Sequence, residues 1–218
     1  ADLSGGDTPA PAHRRDPPGS LPLLLAHDPA QWPAVPYLAA EPDRVRQWSH
    51  VRAAGDMVIG ITWQGSTRRD LDVGRSAPLA AFAPLAEIEG VKLVAIQRNA
   101  GTEQMDEVPF RKALLRLDED FDADGAFLDT AALLSHLDLV VTTDTSMAHL
   151  AGALGIPAIV ALRAVPDWRW GREGEGSIFY PSLTLVRQAR PGMWDGVFET
   201  IAEMVRRQMA APSANEGE

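Results

Sequence analysis

Blocks of consecutive apolar residues recur along this chain, and segments with helical periodicity separate them. Short uninterrupted apolar runs are typical of strands that are buried on both faces of a parallel sheet. We predict five such strands, at residues 57–63, 92–97, 137–142, 158–162 and 182–188. Helices are predicted at residues 43–54, 76–88, 110–117, 128–135, 147–154 and 194–209. This alternation predicts an α/β fold, a doubly wound parallel sheet with a closing helix.

Single residues refine the predicted helix ends. Asp43 and Ser76 directly precede helical segments and are expected to be N-caps, with Pro78 in the first turn of the second helix. Gly155 is expected to end the helix at 147–154 as its C-cap, and Gly152 to allow close contact between that helix and the sheet.

The most informative stretch runs from His136 to Ala161, with the sequence HLDLVVTTDTSMAHLAGALGIPAIVA. It is typical of a strand–helix–strand unit, with a polar turn at residues 143–146 between the first strand and the helix. Free backbone N–H groups and the helix dipole favour an anion at such a turn. The first hypothesis for this protein is therefore an anionic ligand, a nucleotide phosphate.

The ends of the chain differ in composition from its middle. Residues 1–29 are rich in Pro, Gly and charge and are expected to be a partly disordered linker or a remnant of a preceding domain. Residues 30–210 are expected to form the α/β domain, and residues 211–218 a disordered tail. No apolar run approaches the ~18 residues of a membrane span, and the start has no signal-peptide core. We therefore expect a cytoplasmic protein.

Composition narrows the possible chemistry. The net charge of −10 opposes binding of nucleic acid and of anionic membranes, so a phosphate site must be local. Cysteine is absent, which excludes disulfides, thiolate metal sites and a cysteine nucleophile. The acidic segment 117–124 lacks the spacing of a calcium loop and is interpreted as a solvated loop. No glycine-rich dinucleotide fingerprint follows any predicted strand, and the chain contains no P-loop motif.

Three polar segments follow predicted strands and should meet at one edge of the sheet. They are residues 63–66 with the arginines Arg68, Arg69 and Arg75; residues 97–99; and residues 144–146 with His149. Arginines and hydroxyls beside a helix N-terminus suit a diphosphate. Simpler interpretations stay open. Asp144 could be only an N-cap and His149 a packing residue. Arg68 and Arg69 could be loop charges, and Trp168 and Trp170 loop anchors.

Together these segments resemble a known family. The runs IGITWQGS…RSAPL, LVAIQ, FLDTAALLSHLDLVVTTDTSMAHLAGALGIPAIVAL and PDWRWGREGEGSIFYPSLTLVRQ resemble the C-terminal half of bacterial GT-B glycosyltransferases. These are heptosyltransferase-like proteins, including forms fused to tetratricopeptide repeats that are similar to O-GlcNAc transferases. The resemblance covers residues 30–208 and implies a Rossmann-like domain that binds a nucleoside-diphosphate sugar.

The resemblance also implies roles for residues. The donor diphosphate and sugar would lie at Gly65, Ser66, Arg75, Asp144, Thr145, Ser146 and His149. The nucleoside would lie near Gln97, Leu128, Asp129 and Thr130. No metal or other cofactor is implied, because a helix N-terminus and basic side chains stabilise the leaving diphosphate. The catalytic base is expected in a missing N-terminal domain, so we assign none here.

The leading hypothesis is thus a glycosyltransferase that transfers a sugar to a hydroxyl of a protein or glycan acceptor. A second possibility is a non-catalytic remnant or scaffold that binds the nucleotide sugar, because the expected N-terminal half is absent. A nucleotide-sugar epimerase is a third, and an NAD-linked oxidoreductase is disfavoured by the missing glycine fingerprint.

Overall fold

A computed structural model describes residues 36–52, 55–67 and 72–211. The predictions for residues 1–29, Arg68, Arg69 and most of the C-terminal tail lie outside these described residues. In the described part of the chain, no helix is long and apolar enough to cross a membrane.

Six parallel strands form one sheet in the order β3-β2-β1-β4-β5-β6. They are β1 (Met57–Thr62), β2 (Val91–Ala95), β3 (Leu114–Arg116), β4 (Leu139–Thr143), β5 (Ala158–Leu162) and β6 (Leu183–Arg187). The α-helices are α1 (Pro42–Gln47), α2 (Ala83–Ala86), α3 (Leu128–Leu134), α4 (Ser146–Leu154) and α5 (Asp195–Ala210). Short 3₁₀ turns occupy Trp48–Val51, Leu79–Phe82, Thr102–Asp106 and Trp168–Trp170. The predicted doubly wound parallel sheet is confirmed.

Alternate residues of each strand enter two separate cores, one on each face of the sheet. Ile59 and Ile61 of β1 pack on the side of α5 and α2. Val58 of the same strand packs on the side of α3 and α4. Because both faces are covered, the central strands are buried along almost their whole length, which explains their uninterrupted apolar sequences.

One predicted helix is wrong. Residues 110–117 contain β3, which pairs with β2 in the register Leu93 with Leu114. The sequence KALLR consists of good helix formers, but the edge of the sheet offers backbone partners and a buried position for Leu114. Tertiary pairing here outweighs local helix propensity.

Two predicted N-caps are wrong, and one predicted C-cap is confirmed. Asp43 lies within α1, whose N-cap position is Glu41, and the helix gives way to a 3₁₀ turn that ends at Val51. Ser76 is not an N-cap, because its hydroxyl donates to Asp72 and Pro78 precedes the 3₁₀ turn instead. Gly155 is confirmed as the C-cap of α4, with φ +71°.

Gly152 permits a different contact from the one predicted. A Cβ at this position would lie 2.3 Å from Cγ of Tyr180, in the loop before β6. Such a distance excludes any larger side chain unless the tyrosine moves. The close approach that Gly152 allows is therefore to the Tyr180 ring.

Candidate functional site

A cleft of about 720 Å³ lies at the end of the sheet where the strand order changes direction, between β1 and β4. Strands β1 and β4 are neighbours, while β2 continues on one side of this pair and β5 on the other. Open parallel sheets bind ligands outside the carboxyl ends of the strands at such a switch point. Five residues of the predicted diphosphate set line this cleft: Gly65, Ser66, Arg75, Thr145 and Ser146.

The loops after β1 and β4 approach each other closely. A Cβ on Gly65 would lie 3.5 Å from the methyl carbon of Thr145, so the two loops are in van der Waals range. The backbone N–H of Gly65 donates to the Ser76 hydroxyl at 3.3 Å. The Ser76 hydroxyl, which sequence reasoning assigned to a helix cap, thus shapes the loop at the floor of the cleft.

Thr145 is the N-cap of α4. Its hydroxyl accepts a hydrogen bond from the N–H of Met147 at 3.2 Å and lies 3.0 Å from the Thr142 hydroxyl. The simpler interpretation of Asp144 as only an N-cap is therefore wrong, because Thr145 is the N-cap of this helix. Ser146 is exposed at the first position of the helix, directed to the cleft that it lines.

Asp144 does not line the cleft; it is buried behind Arg75. One carboxylate oxygen, Oδ1, accepts from the indole N–H of Trp170 at 2.9 Å. The other oxygen, Oδ2, is 3.5 Å from Nε of Arg75, which also donates to the Asp144 carbonyl at 3.2 Å. The aspartate therefore orients the arginine that reaches the cleft. Trp170 is the loop anchor that the sequence indicated, whereas Trp168 is 61% exposed.

His149 lies one helical turn beyond this site, in an aromatic group. Its ring stacks on Trp170 with centroids 5.1 Å apart, and Nδ1 is 3.3 Å from the Tyr180 hydroxyl. Burial, together with the nearby charge of Arg169, lowers the pKa of His149 below its ordinary value. The neutral imidazole is accordingly favoured. His149 is not among the residues that line the cleft, and its predicted ligand role stays a prediction.

Gln97 lines the cleft, but its amide is fully engaged with backbone groups. Its Oε1 accepts from the N–H groups of Trp63 and Gln64 at 3.1 and 3.0 Å. Its Nε2 donates to the carbonyls of Gln64 and Ala100, each at 2.9 Å. Gln97 thereby ties the loop after β1 to the loop after β2, which fixes the floor of the cleft.

The three remaining predicted nucleoside residues begin α3, and only Thr130 lines the cleft. Leu128 is the first residue of the helix. Asp129 does not line the cleft; its carboxylate accepts from Arg44 at 2.8 Å and from the indole N–H of Trp48 at 3.3 Å. Burial alone would raise the pKa of Asp129. The hydrogen bonds to its carboxylate, of which the bond from Arg44 has the largest effect, hold this pKa below its ordinary value.

Sequence reasoning missed the cleft residues of the acidic loop and of the turn after it, among them Asp122 and Phe127. Asp122 accepts from the N–H groups of Asp129 and Thr130 at 2.7 and 3.0 Å, so it is not simply solvated. Phe127 lines the cleft with 42% of its surface exposed and has φ +67°. Asp is one of the residues that adopt the left-handed backbone region fairly often, whereas Phe rarely does. The sequence therefore contains no signal for the conformation of Phe127.

The charged groups of the cleft are few. Arg75 and Arg98 line it, together with the Asp122 carboxylate that α3 already engages. Within the part of the chain that the structure describes, no group of three or more His, Asp or Glu residues is arranged to hold a metal ion.

Comparison with known proteins points to one class. Residues 126–170 match the family model of Glycosyltransferase family 9 (heptosyltransferase). This match spans α3, β4, α4 and β5, and it includes the cleft residues Phe127, Thr130, Thr145 and Ser146. Protein FlbA of Caulobacter vibrioides is 27% identical over 177 residues, which cover 78% of this chain and 29% of FlbA.

Two solved structures share the fold. The E. coli ADP-heptose lps heptosyltransferase II matches with a TM-score of 0.59 and 14% identity, over 83% of this chain and 56% of that chain. The E. coli heptosyltransferase WaaC with ADP-2-deoxy-2-fluoro heptose matches with a TM-score of 0.51 and 13% identity, over 75% and 47%. The chain therefore spans about half the length of these structures and less than a third of FlbA. The sheet has the α/β fold of the heptosyltransferase structures.

Proposed function

We propose that this chain is the donor-binding part of a glycosyltransferase, equivalent to the C-terminal half of a GT-B enzyme. The reaction is transfer of a glycosyl group from a nucleoside-diphosphate sugar to a hydroxyl of a protein or glycan acceptor. The observation that carries the proposal is the convergence of Gly65, Ser66, Arg75 and the Thr145–Ser146 start of α4 on one cleft at the switch point. The family match over residues 126–170 supports the same class.

The proposed donor lies across the cleft with its diphosphate toward Arg75 and the start of α4. A helix N-terminus and an oriented guanidinium favour a diphosphate dianion. The nucleoside extends toward Phe127 and Thr130, on the far wall of the same cleft. Since heptosyltransferase WaaC was solved with an ADP-sugar analogue, ADP is the first nucleoside diphosphate to test.

The chemistry assigned to these residues is stabilisation of the leaving group. When the bond between the anomeric carbon and the diphosphate oxygen breaks, negative charge grows on the diphosphate. Arg75, held by Asp144, and the amides at the start of α4 oppose that charge. We expect no metal requirement, and we expect the base that accepts the acceptor's proton in a preceding domain. Cytoplasmic residence and contact with such a domain, or with helical repeats, belong to the same proposal.

The test is calorimetric titration of the full chain with ADP, UDP, GDP, CMP and NAD, with and without EDTA. One nucleoside diphosphate should bind, equally well in EDTA. Arg75→Ala should weaken that binding by about 10- to 100-fold, because a hydrogen bond to a charged group contributes about 1.5–3 kcal/mol. Arg75→Lys should give an intermediate Kd, since it keeps the charge and loses the planar fork.

Arg207→Ala is the matched control, because Arg207 is exposed on α5, away from the cleft, and pairs with the exposed Glu203. Its Kd should equal that of the wild type. Binding of NAD alone would replace the proposal with an oxidoreductase. Absence of binding by every ligand would leave a non-catalytic remnant or scaffold.

A further inference from the structure

The cleft wall on the nucleoside side is a short backbone loop with two unusual conformations. Residues Asp122 and Phe127 both adopt left-handed backbone angles, φ +61° and +67°, and both line the cleft. Such conformations are unfavourable for non-glycine residues, above all for a bulky one, and persist only where surrounding contacts enforce them. The contacts that enforce this loop therefore determine the shape of the wall.

Those contacts form a reciprocal pair of backbone and carboxylate bonds. The Asp122 carboxylate accepts from the N–H of Asp129 at 2.7 Å, and the Asp129 carboxylate accepts from the N–H of Asp122 at 2.9 Å. Asp122 also accepts from the N–H and the hydroxyl of Thr130, another residue of the cleft wall. The two ends of the loop, Asp122 and Asp129, are thus joined, because the carboxylate of each accepts from the backbone N–H of the other.

Arg44 of α1 fixes this closure from outside the cleft. Its Nη1 donates to Oδ1 of Asp129 at 2.8 Å, and its Nη2 donates to Asp124, within the loop, at 3.0 Å. Trp48, one turn along the chain, donates to the same Asp129 oxygen at 3.3 Å. Without Arg44, the buried Asp129 carboxylate would keep fewer partners to offset its lost hydration. The loop would also lose the bond from Arg44 to Asp124.

We propose that Arg44 is a positioning residue for nucleoside recognition, acting through Asp129 and Asp122 on the cleft wall that carries Phe127 and Thr130. This rests on the proposed function and deepens it. Arg44 touches no cleft residue of the diphosphate side, so its effect is confined to the nucleoside half of the ligand. The connection also makes α1, which lies upstream of the sheet, part of the specificity machinery.

The test separates the two halves of the ligand by using ADP and inorganic pyrophosphate as probes. Arg44→Gln should weaken ADP binding by about three- to tenfold, the range typical of indirect coupling, and leave the pyrophosphate Kd unchanged. Arg46→Ala is the matched control: Arg46 lies on the same helix and pairs with the exposed Asp43. It should change neither Kd.

Each other result has one meaning. Equal ADP binding by wild type and Arg44→Gln overturns the positioning role, and so does an equal loss for ADP and pyrophosphate, which would report general destabilisation. If Arg44→Gln does not fold, Arg44→Lys carries the same two-ligand comparison with the charge retained. Failure of the wild type to bind either pyrophosphate or any nucleoside diphosphate overturns the proposed function itself and is distinguishable from the other results.

Discussion

At the scale of single residues, the phosphate side of the cleft depends on one buried carboxylate. Asp144 stands between Trp170, which occupies one oxygen, and Arg75, which pairs with the other. A buried carboxylate is stable only when partners replace its hydration. The indole N–H therefore helps to hold the carboxylate that lies beside Arg75, although Trp170 is far along the chain in the loop after β5.

Trp170→Phe should lower the free energy of unfolding by about 1–3 kcal/mol, the cost of leaving a buried acceptor without its donor. It should also weaken ADP binding, because the Asp144 carboxylate beside Arg75 loses one of the bonds that hold it in place. Urea unfolding and calorimetry measure the two effects.

Trp168→Phe is the control for that substitution, because Trp168 is exposed. Its unfolding free energy should stay within about 0.5 kcal/mol of wild type. If both variants lost the same stability, the bond to Asp144 would not be the cause.

At the scale of elements, the sequence predicted the buried strands and α4 well, because uninterrupted apolar runs and the Gly155 cap are strong local signals. It failed at β3, where good helix formers pair with β2, and at Ser76, whose hydroxyl serves the loop at Gly65. It also gave no sign of the left-handed Phe127. These features depend on partners distant in sequence, which no local pattern records.

The N-terminus of α4 allows affinity and stability to be separated. Ser146→Asp places a negative charge where we locate the diphosphate, so ADP binding should be lost. The same aspartate lies in the first turn of a helix, where a carboxylate is typically stabilising by about 0.3–1 kcal/mol. Thermal unfolding should therefore show an unchanged or raised Tm.

Ser146→Asn is the neutral control for Ser146→Asp and should retain most of the affinity. Unchanged ADP affinity in Ser146→Asp would contradict the placement of the diphosphate at α4.

At the scale of the whole molecule, the residues that line the cleft and the residues of the core beside α5 lie in different parts of the sheet. The longest helix of the described residues, α5, buries Val197, Phe198, Ile201 and Val205 against the face opposite α3 and α4. The cleft, in contrast, lies at the carboxyl edge of the strands, and none of its lining residues belongs to α5. Because the sheet is continuous, packing on the α5 side supports the whole fold without touching the ligand.

Ile201→Ala tests this separation. The side chain is fully buried, so its truncation should lower the free energy of unfolding by about 2–5 kcal/mol through lost burial and a residual cavity. The Kd for ADP, measured well below the transition temperature, should stay at the wild-type value, since all folded molecules keep the same cleft. Glu199→Ala, on the exposed side of α5, controls for changes in helix propensity and should alter neither quantity. A Kd that rises in step with the lost stability would show that the α5 face and the cleft are energetically coupled, and the proposed division of the molecule would then be wrong.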